Sequence, residues 1–351
     1  MFIKSVEISN FTVFEHMNCD FSSGINIFIG ENGTGKTHLL KILYAVSNTE
    51  KYKISLIGAN EFEGEPVSIT NNLDHIIYHL FNAPVEGLDV NLVRNNSTNH
   101  ESARIKITTD SENIISYISE LGFMTAINLH DIDARIFEQE ALFIPAKDML
   151  SHSGLENDYA KRLLPFDRTQ IDILNNLKIS KLREQTTLSK SLTEKLSKVM
   201  GGTVLYKNGG YYILKSGSDS LVNISLEAEG FKKLAVIYRA IDTGYLQPGS
   251  MLFWDEPEAN INPKLIPIIV DIILELSRNK VQIFIATHDY FLSQYFEVLA
   301  KDSDNTAFHS LYKTDNGVKC ESSDKFSTLN NNDIIEEKIR LYDTEIAKVL
   351  G

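Results

Sequence analysis

Apolar and polar positions alternate with the period of a strand through the first 30 residues. Phe2-Ile3, Val6 and Ile8 mark one strand, and Phe11–Phe14 begins another. Gly24–Ile29 (Gly-Ile-Asn-Ile-Phe-Ile) reads as a buried strand, because β-branched residues follow a glycine turn. After Gly35 the spacing lengthens to that of a helix, with Leu39, Leu40, Ile42 and Leu43 on its apolar side. Between about 52 and 127 the pattern is broken by Gly58, Gly64, Pro66, Asn71-Asn72 and Asn95-Asn96. Strands and loops are expected there, with one helix around Leu73–Leu80. Ala141-Leu-Phe-Ile-Pro145 is a further strand.

From Asn157 to about Met200 apolar residues recur every three or four positions. Leu182, Leu188, Leu192, Leu196 and Val199 form one stripe, which predicts a helical lobe packed on the rest of the chain. Pro165 and the shortage of heptads argue against a long coiled-coil arm. Gly201-Gly202 ends the helix, and Asn208-Gly-Gly210 joins Thr203–Tyr206 and Tyr211–Leu214 in a hairpin. Helix and strand then alternate: helix Phe231–Thr243, strand Ser250–Trp254, helix Pro263–Leu276, strand Val281–Ala286, helix Tyr290–Leu299. That order implies a parallel sheet with helical crossovers. Asp333–Leu350 closes the chain as an amphipathic helix, expected to cap the sheet, with docking as the alternative. One domain over 1–351 is expected: an N-terminal lobe (1–150), a helical lobe (151–200), a C-terminal lobe (201–330) and the terminal helix (331–351).

Charge narrows the partners. Lys plus Arg is 34 against 47 for Asp plus Glu, a net charge of −13, so a chain-wide basic footprint for nucleic acid is absent. Lys161-Arg162, Lys181, Arg183, Lys190 and Lys195 stud the helical lobe, but acids and hydroxyls interrupt them. They read as a solvated face before a nucleic-acid track. Two cysteines, Cys19 and Cys320, support neither a disulfide framework nor a four-cysteine zinc site. The apolar stretch Leu265–Leu274 is interrupted and too short to cross a bilayer, and Met1-Phe-Ile-Lys-Ser is no signal peptide. A cytoplasmic protein without membrane contact is the expectation.

The chemistry begins at Gly30-Glu-Asn-Gly-Thr-Gly35-Lys36-Thr37, an unbroken P-loop pattern set between a predicted strand and a predicted helix. Its glycines let successive amides face a polyphosphate, and the helix N-terminus adds positive potential. Gly30, Asn32, Gly33, Thr34, Gly35, Lys36, Thr37 and His38 would cradle ATP. Lys36 reaches the β- and γ-phosphates, and the Thr37 hydroxyl is a ligand for Mg²⁺. Met251-Leu-Phe-Trp-Asp255-Glu256-Pro257 is an apolar strand ending in two acids, as a Walker B motif requires. Asp255 would hold Mg²⁺, and Glu256 is the candidate base for attacking water. Gln282-Ile-Phe-Ile-Ala-Thr287-His288-Asp289 brings His288 to a strand end, where ligands of open α/β sheets bind.

Taken together, these motifs resemble an ABC-type ATPase of the SMC/RecF-like AAA family. The opening Ile3-Lys-Ser-Val-Glu-Ile-Ser-Asn-Phe11-Thr-Val-Phe14 and Gly30-Glu-Asn-Gly33 are similar to that class rather than to transporter ATPases. The resemblance implies an α/β P-loop NTPase fold: an ABC ATPase head with a parallel core sheet, an antiparallel N-terminal part and a helical lobe. It also implies Mg²⁺-dependent ATP hydrolysis in a head-to-head dimer, with catalytic roles for Lys36, Glu256 and His288. A signature loop from the other chain would contact the γ-phosphate. Its candidate is Leu226-Glu-Ala-Glu-Gly230-Phe-Lys-Lys233, with Gly230 and Lys232 as contacts. Ala228 stands where serine is expected and Glu229 replaces the first glycine, so a plain helix start is the alternative. Glu258-Ala-Asn260-Ile-Asn262-Pro263 resembles the D-loop at the dimer interface.

No Q-loop glutamine is evident; Gln139, Lys147 and Asp148 are the neighbouring candidates. His75 and His79, four apart, have a zinc-like spacing without a third ligand. Compact and without a long arm, the chain resembles stand-alone ATPases of bacterial anti-phage defence systems (Septu- or PARIS-like). There the ATPase controls a partner nuclease or toxin. A RecF-like ATPase clamping DNA is the alternative.

Overall fold

The computed structural model describes residues 2–48, 80–81, 102–110, 114–119, 140–159 and 166–350. The expected helix around Leu73–Leu80 falls outside these, apart from Leu80, and so do His75, His79, Gln139, Lys161 and Arg162.

Among the described residues, three sheets carry the fold. The first is antiparallel, in the order β2-β1-β4-β5, from β1 (Ile3–Phe11), β2 (Phe14–Asp20), β4 (Ala103–Thr109) and β5 (Ile114–Ser119). The second is the core sheet, in the order β13-β12-β3-β11-β10-β6. Its strands are β3 (Ile25–Ile29), β6 (Ala141–Ile144), β10 (Met251–Asp255), β11 (Gln282–Ala286), β12 (Thr306–Thr314) and β13 (Gly317–Ser323). All of its pairs are parallel except β12 with β13. The third sheet is a small antiparallel meander of β7 (Gly202–Lys207), β8 (Gly210–Lys215) and β9 (Leu221–Asn223). The hairpin turn at Asn208-Gly209 has both residues at positive φ, 52° and 78°, as a tight two-residue turn demands.

Strand alternation sorts the core into two layers. Ile25, Ile27 and Ile29 of β3, Leu252 and Trp254 of β10, and Ile283 and Ile285 of β11 face one way. They pack on α2 (Arg168–Leu177), α3 (Thr187–Met200), α4 (Glu229–Asp242), α5 (Ile266–Arg278) and α6 (Tyr290–Leu299). The opposite face carries Phe28, Phe143, Phe253 and Phe284, covered by α1 (Lys36–Ser47) and the antiparallel sheet. Phe253 and Phe284 stack with centroids 5.1 Å apart and planes 6° apart, and Phe28 continues the row 6.5 Å beyond. Burial on both faces explains why β3, β10 and β11 are continuous apolar runs.

Several expectations change. The helical lobe holds α2 and α3 as separate helices, and Leu182 lies in the segment between them, outside the stripe. Asp167 caps α2 with a capping box to Gln170, and Thr186 caps α3, so each start is fixed by side-chain chemistry. Asn262 and Pro263 begin a 3-10 turn, and the α-helix proper starts at Ile266, not at Pro263. The terminal helix α7 (Asp333–Leu350) does not cap the sheet. Its first turn, through Ile334 and Ile335, packs on the core and Lys338 lies over the Tyr290 ring at 3.6 Å, while Ile339, Leu341, Tyr342, Ile346 and Val349 are exposed. Among the described residues no helix is long and apolar enough to cross a membrane.

The phenylalanine row yields a test of the two-layer core. Phe284 is fully buried at its centre. Phe284→Ala should lower unfolding free energy by about 3–5 kcal/mol, read from chemical denaturation followed by tryptophan fluorescence and circular dichroism.

Candidate functional site

The order β3-β11-β10 sets the site. The P-loop leaves β3, Asp255 and Glu256 leave β10, and Thr287-His288 leave β11, the strand between them. All three are carboxyl ends of parallel strands, where open α/β sheets bind ligands.

The loop between β3 and α1 is glycine-dependent at both ends. Gly30 sits at φ 139°, and a Cβ there would run into the Leu311 carbonyl oxygen of β12. Gly35, at φ 86°, would place a Cβ 2.6 Å from Phe14 and Val13. Gly35 also stands at the N-cap of α1 with no side-chain cap, so the first-turn amides face the loop's concavity. Lys36 is buried and folds back, its Nζ donating to the Gly30 and Glu31 carbonyls at 2.7 and 2.8 Å. Burial holds its proton affinity below the ordinary lysine range.

Thr37 donates its hydroxyl to Asp255, 2.9 Å to Oδ2 and 3.2 Å to Oδ1. Burial pushes the Asp255 carboxyl up to about 6, partly offset by that hydrogen bond. A carboxylate oxygen and a hydroxyl oxygen side by side are a donor set suited to a hard divalent cation, and the Lys36 charge nearby suits the phosphates instead. A cavity of about 230 Å³ lies here, lined by Asn32, Gly33, Gly35, Lys36, Thr37, His38, Asp255 and Glu256. The residues therefore fit Mg²⁺ and a polyphosphate. His38 lines that cavity, yet its ring turns edge-on to Phe81 with centroids 5.1 Å apart. Burial lowers its pKa to about 4, so the imidazole is neutral near pH 7.

Glu256 is aimed by its backbone. It adopts φ 48°, rare for a glutamate, while its amide donates to Ala286 O at 2.9 Å. Its Oε1 lies 3.3 Å from His288 Nδ1. Beside them is Glu258, which accepts from the Thr287 hydroxyl at 2.7 Å and the His288 amide at 3.4 Å. Glu258 is pushed upward by burial, and its second carboxylate oxygen has no hydrogen-bond partner. The structure thus brings together Lys36, Thr37, Asp255, Glu256 and His288, five positions fixed by three separate motifs.

The signature segment lies differently. Helix α4 starts at Glu229, two residues before the predicted start, with Gly230 packed on Leu265 and Ile261. Lys232 pairs with Glu229 at 2.6 Å and Asp148 at 3.6 Å in its own chain. Nothing in the local sequence marks Lys233 for a role. Its Nζ donates to the Glu256 carbonyl at 2.6 Å, which ties α4 to the Walker B turn. A second cavity, about 340 Å³, joins Thr37 and Asp255 to Lys147 and Gln170. Lys147 was among the expected Q-loop substitutes; Gln170, the capping-box residue of α2, was not.

A P-loop, an acid pair and a histidine on one edge of a parallel sheet define a P-loop nucleotide-binding ATPase head. The chain belongs to the AAA ATPase domain family, whose model matches residues 1–200. A second model, described as "AAA domain, putative AbiEii toxin, Type IV TA system", matches residues 127–293. The fold is similar to the Smc head domain with an extended coiled coil, bound to the C-terminal domain of ScpA, from Pyrococcus furiosus. That likeness has a TM-score of 0.54 and 13% identity, over 97% of this chain and 99% of that one. Sequence similarity links it to DNA replication and repair protein RecF of Streptococcus pyogenes serotype M5 (strain Manfredo) and serotype M1. Each is 35% identical over 80 residues, 22% of this chain, and the match spans only 21% of those proteins. The protein is thus an AAA-family P-loop domain with a fold like that of an Smc head and a local sequence likeness to RecF.

Lys233 supplies a measurable consequence. Burial lowers its pKa from 10.5 to about 8. Below about pH 8 both folded and unfolded chains carry its proton, and the burial penalty stands in full. Between about 8 and 10.5 the unfolded chain binds more protons, so this group's contribution to stability rises with pH. Urea midpoints of wild type and Lys233→Met should therefore shift in favour of wild type as pH rises from 8 toward 10. A difference that stays constant with pH contradicts the buried placement.

Proposed function

We propose that this protein is a Mg²⁺-dependent ATP-hydrolysing switch whose two copies close head to head, and that the switch controls a partner effector, a nuclease or toxin, in bacterial defence. One observation carries the dimer. Among the described residues, the cavity around Lys36 is lined from the P-loop, Val13, Asp255 and Glu256, with none from 226–233. A half-site of this kind is completed when a second chain brings its Gly230 segment to the γ-phosphate.

Within the site, Lys36 and the loop amides bind and orient the phosphates of ATP, and Thr37 and Asp255 hold Mg²⁺. The metal, when bound, neutralises charge on the phosphate oxygens. Glu256 holds the proton of the attacking water, and His288, 3.3 Å away, fixes the carboxylate's direction. Positioning and preorganised charge supply the acceleration. The effector half of the reading is supported by the match to an AAA domain described with a type IV TA system and by the net charge of −13.

Glu256→Gln should bind ATP, hydrolyse it about 10²–10⁴-fold more slowly, and double its mass in light scattering when ATP is added. Wild-type turnover per chain should rise with protein concentration. A variant that stays monomeric in ATP, with turnover independent of concentration, removes the composite site. The 80-residue likeness to RecF favours a second reading, an ATPase that clamps DNA. Affinity for duplex DNA that falls steeply and linearly in log–log form with salt would select it. Weak, salt-insensitive binding would leave the effector reading in place.

A further inference from the structure

Outside the nucleotide cavity, three side chains of metal-ligating type meet where the two main sheets touch. Cys19 of β2, His309 of β12 and Cys320 of β13 place their ligand atoms within 4.8 Å of one another. The Cys320 thiol is 3.3 Å from Cys19 Sγ, and Cys19 Sγ is 3.4 Å from His309 Nδ1. Donors bound to one tetrahedral zinc at 2.0–2.3 Å stand about 3.4–3.8 Å apart, so the trio needs only small outward shifts.

The imidazole is oriented for ligation. Asn26 Oδ1 accepts from the Ser22 amide at 2.8 Å while Asn26 Nδ2 donates to Ser22 O at 2.9 Å, which fixes the amide's direction. His309 Nε2 lies 3.1 Å from that same Oδ1 and must carry the proton. Nδ1 is then the lone-pair nitrogen, and it faces the sulfurs. A ligating histidine that gives its other N–H to a fixed oxygen is the outer-shell arrangement of metal sites. Ser322 Oγ, 2.8 Å from Nδ1 and 3.9 Å from each sulfur, stands at the remaining corner. Phe28 stacks on the imidazole at 4.9 Å and Phe21 meets it edge-on at 5.8 Å, an apolar wall that keeps bulk water away.

We propose that Cys19, His309 and Cys320 form a structural site for a thiolate-preferring, zinc-class divalent cation, with Ser322 or a water in the fourth position. Binding releases the two thiol protons and leaves a neutral unit of one dication and two thiolates. Neutrality suits the surroundings, since Cys19 and His309 are buried. A disulfide would employ two of the three donors and leave the imidazole lone pair to Ser322 alone. The ion would rivet β2 of the antiparallel sheet to β12 and β13 of the core sheet. Leu311, two residues after His309, backs Gly30 of the P-loop, so the rivet lies directly behind the nucleotide loop.

The test uses the full chain, purified with reductant and stripped of metal. Titrated with cobalt(II), wild type should take up one equivalent. A thiolate-to-cobalt charge-transfer band should grow with it, alongside visible bands of tetrahedral intensity. Zinc(II) should displace the cobalt and shield both cysteines from alkylation until a chelator is added. Cys320→Ala, at a half-buried position, should weaken cobalt binding by about a hundredfold or more, because losing even an outer-shell partner costs about 10–100-fold. No charge-transfer band in fully reduced wild type overturns the site. So does recovery of Cys19 and Cys320 as a cross-linked peptide from protein prepared with zinc, which would assign the pair to disulfide chemistry.

Discussion

The hydrogen bond from Thr37 to Asp255 is the constraint around which the head is arranged. A carboxyl buried at the end of β10 is costly unless something nearby satisfies it. The hydroxyl that does so belongs to the second residue of α1. The start of α1 is therefore locked to the end of a strand 218 positions away in sequence. Because β11 lies between β3 and β10, that lock leaves a strand end between the P-loop and the acids. Thr287 and His288 occupy it. Convergence of the three motifs follows from strand order and needs no long loop to reach across.

The same lock explains why the two core layers differ. The face that receives α1 is aromatic, and flat stacked rings at Phe28, Phe253 and Phe284 give a stiff platform under Tyr44, which packs edge-on to Phe253 at 5.9 Å. The other face is mostly aliphatic, with Trp254 among its side chains, and accepts five helices. The Lys233 side chain ties the signature helix on that second layer to the catalytic turn by donating to the Glu256 carbonyl. Glu256 is held at positive φ just there, so any movement of α4 reaches the carboxylate's backbone directly.

How legible this was in the sequence depends on what carried the signal. Gly30–Thr37, Asp255-Glu256 and Thr287-His288 were legible because phosphate chemistry demands particular residues at fixed local spacing. The Asp333–Leu350 helix was legible from its period, but its exposure was not, since the same amphipathic stripe serves burial or solvent contact. Strands β12 and β13 went unassigned. Thr306–Thr314 mixes Ala, Phe, His, Ser and Leu without alternation, because its middle is buried on both faces as an inner strand next to β3. The helical stripe misplaced Leu182, whose spacing fits α3 although Thr186 caps the helix after it. Lys233, Gln170 and the Cys19–His309–Cys320 cluster depend on contacts between residues tens to hundreds of positions apart. No local pattern encodes them.

The segment proposed as a signature loop carries salt bridges of its own. A glutamate where glycine is expected would repel a γ-phosphate brought against it. In this chain Glu229 is paired with Lys232 at 2.6 Å, and Lys232 also faces Asp148 across 3.6 Å. The lysine expected to reach across to phosphate is thus engaged in neutralising the acid beside it. What α4 then offers at its start is the Glu229 and Gly230 amides, since the Phe231 amide already donates to the Ala228 carbonyl at 2.8 Å. Gly230, packed against Leu265 and against Ile261 of the D-loop-like segment, lets the backbone at that turn approach closely. In the closed-dimer reading, the phosphate is met by oriented backbone dipoles in place of a serine hydroxyl. The Glu229–Lys232 pair lowers the repulsion that would otherwise oppose closure.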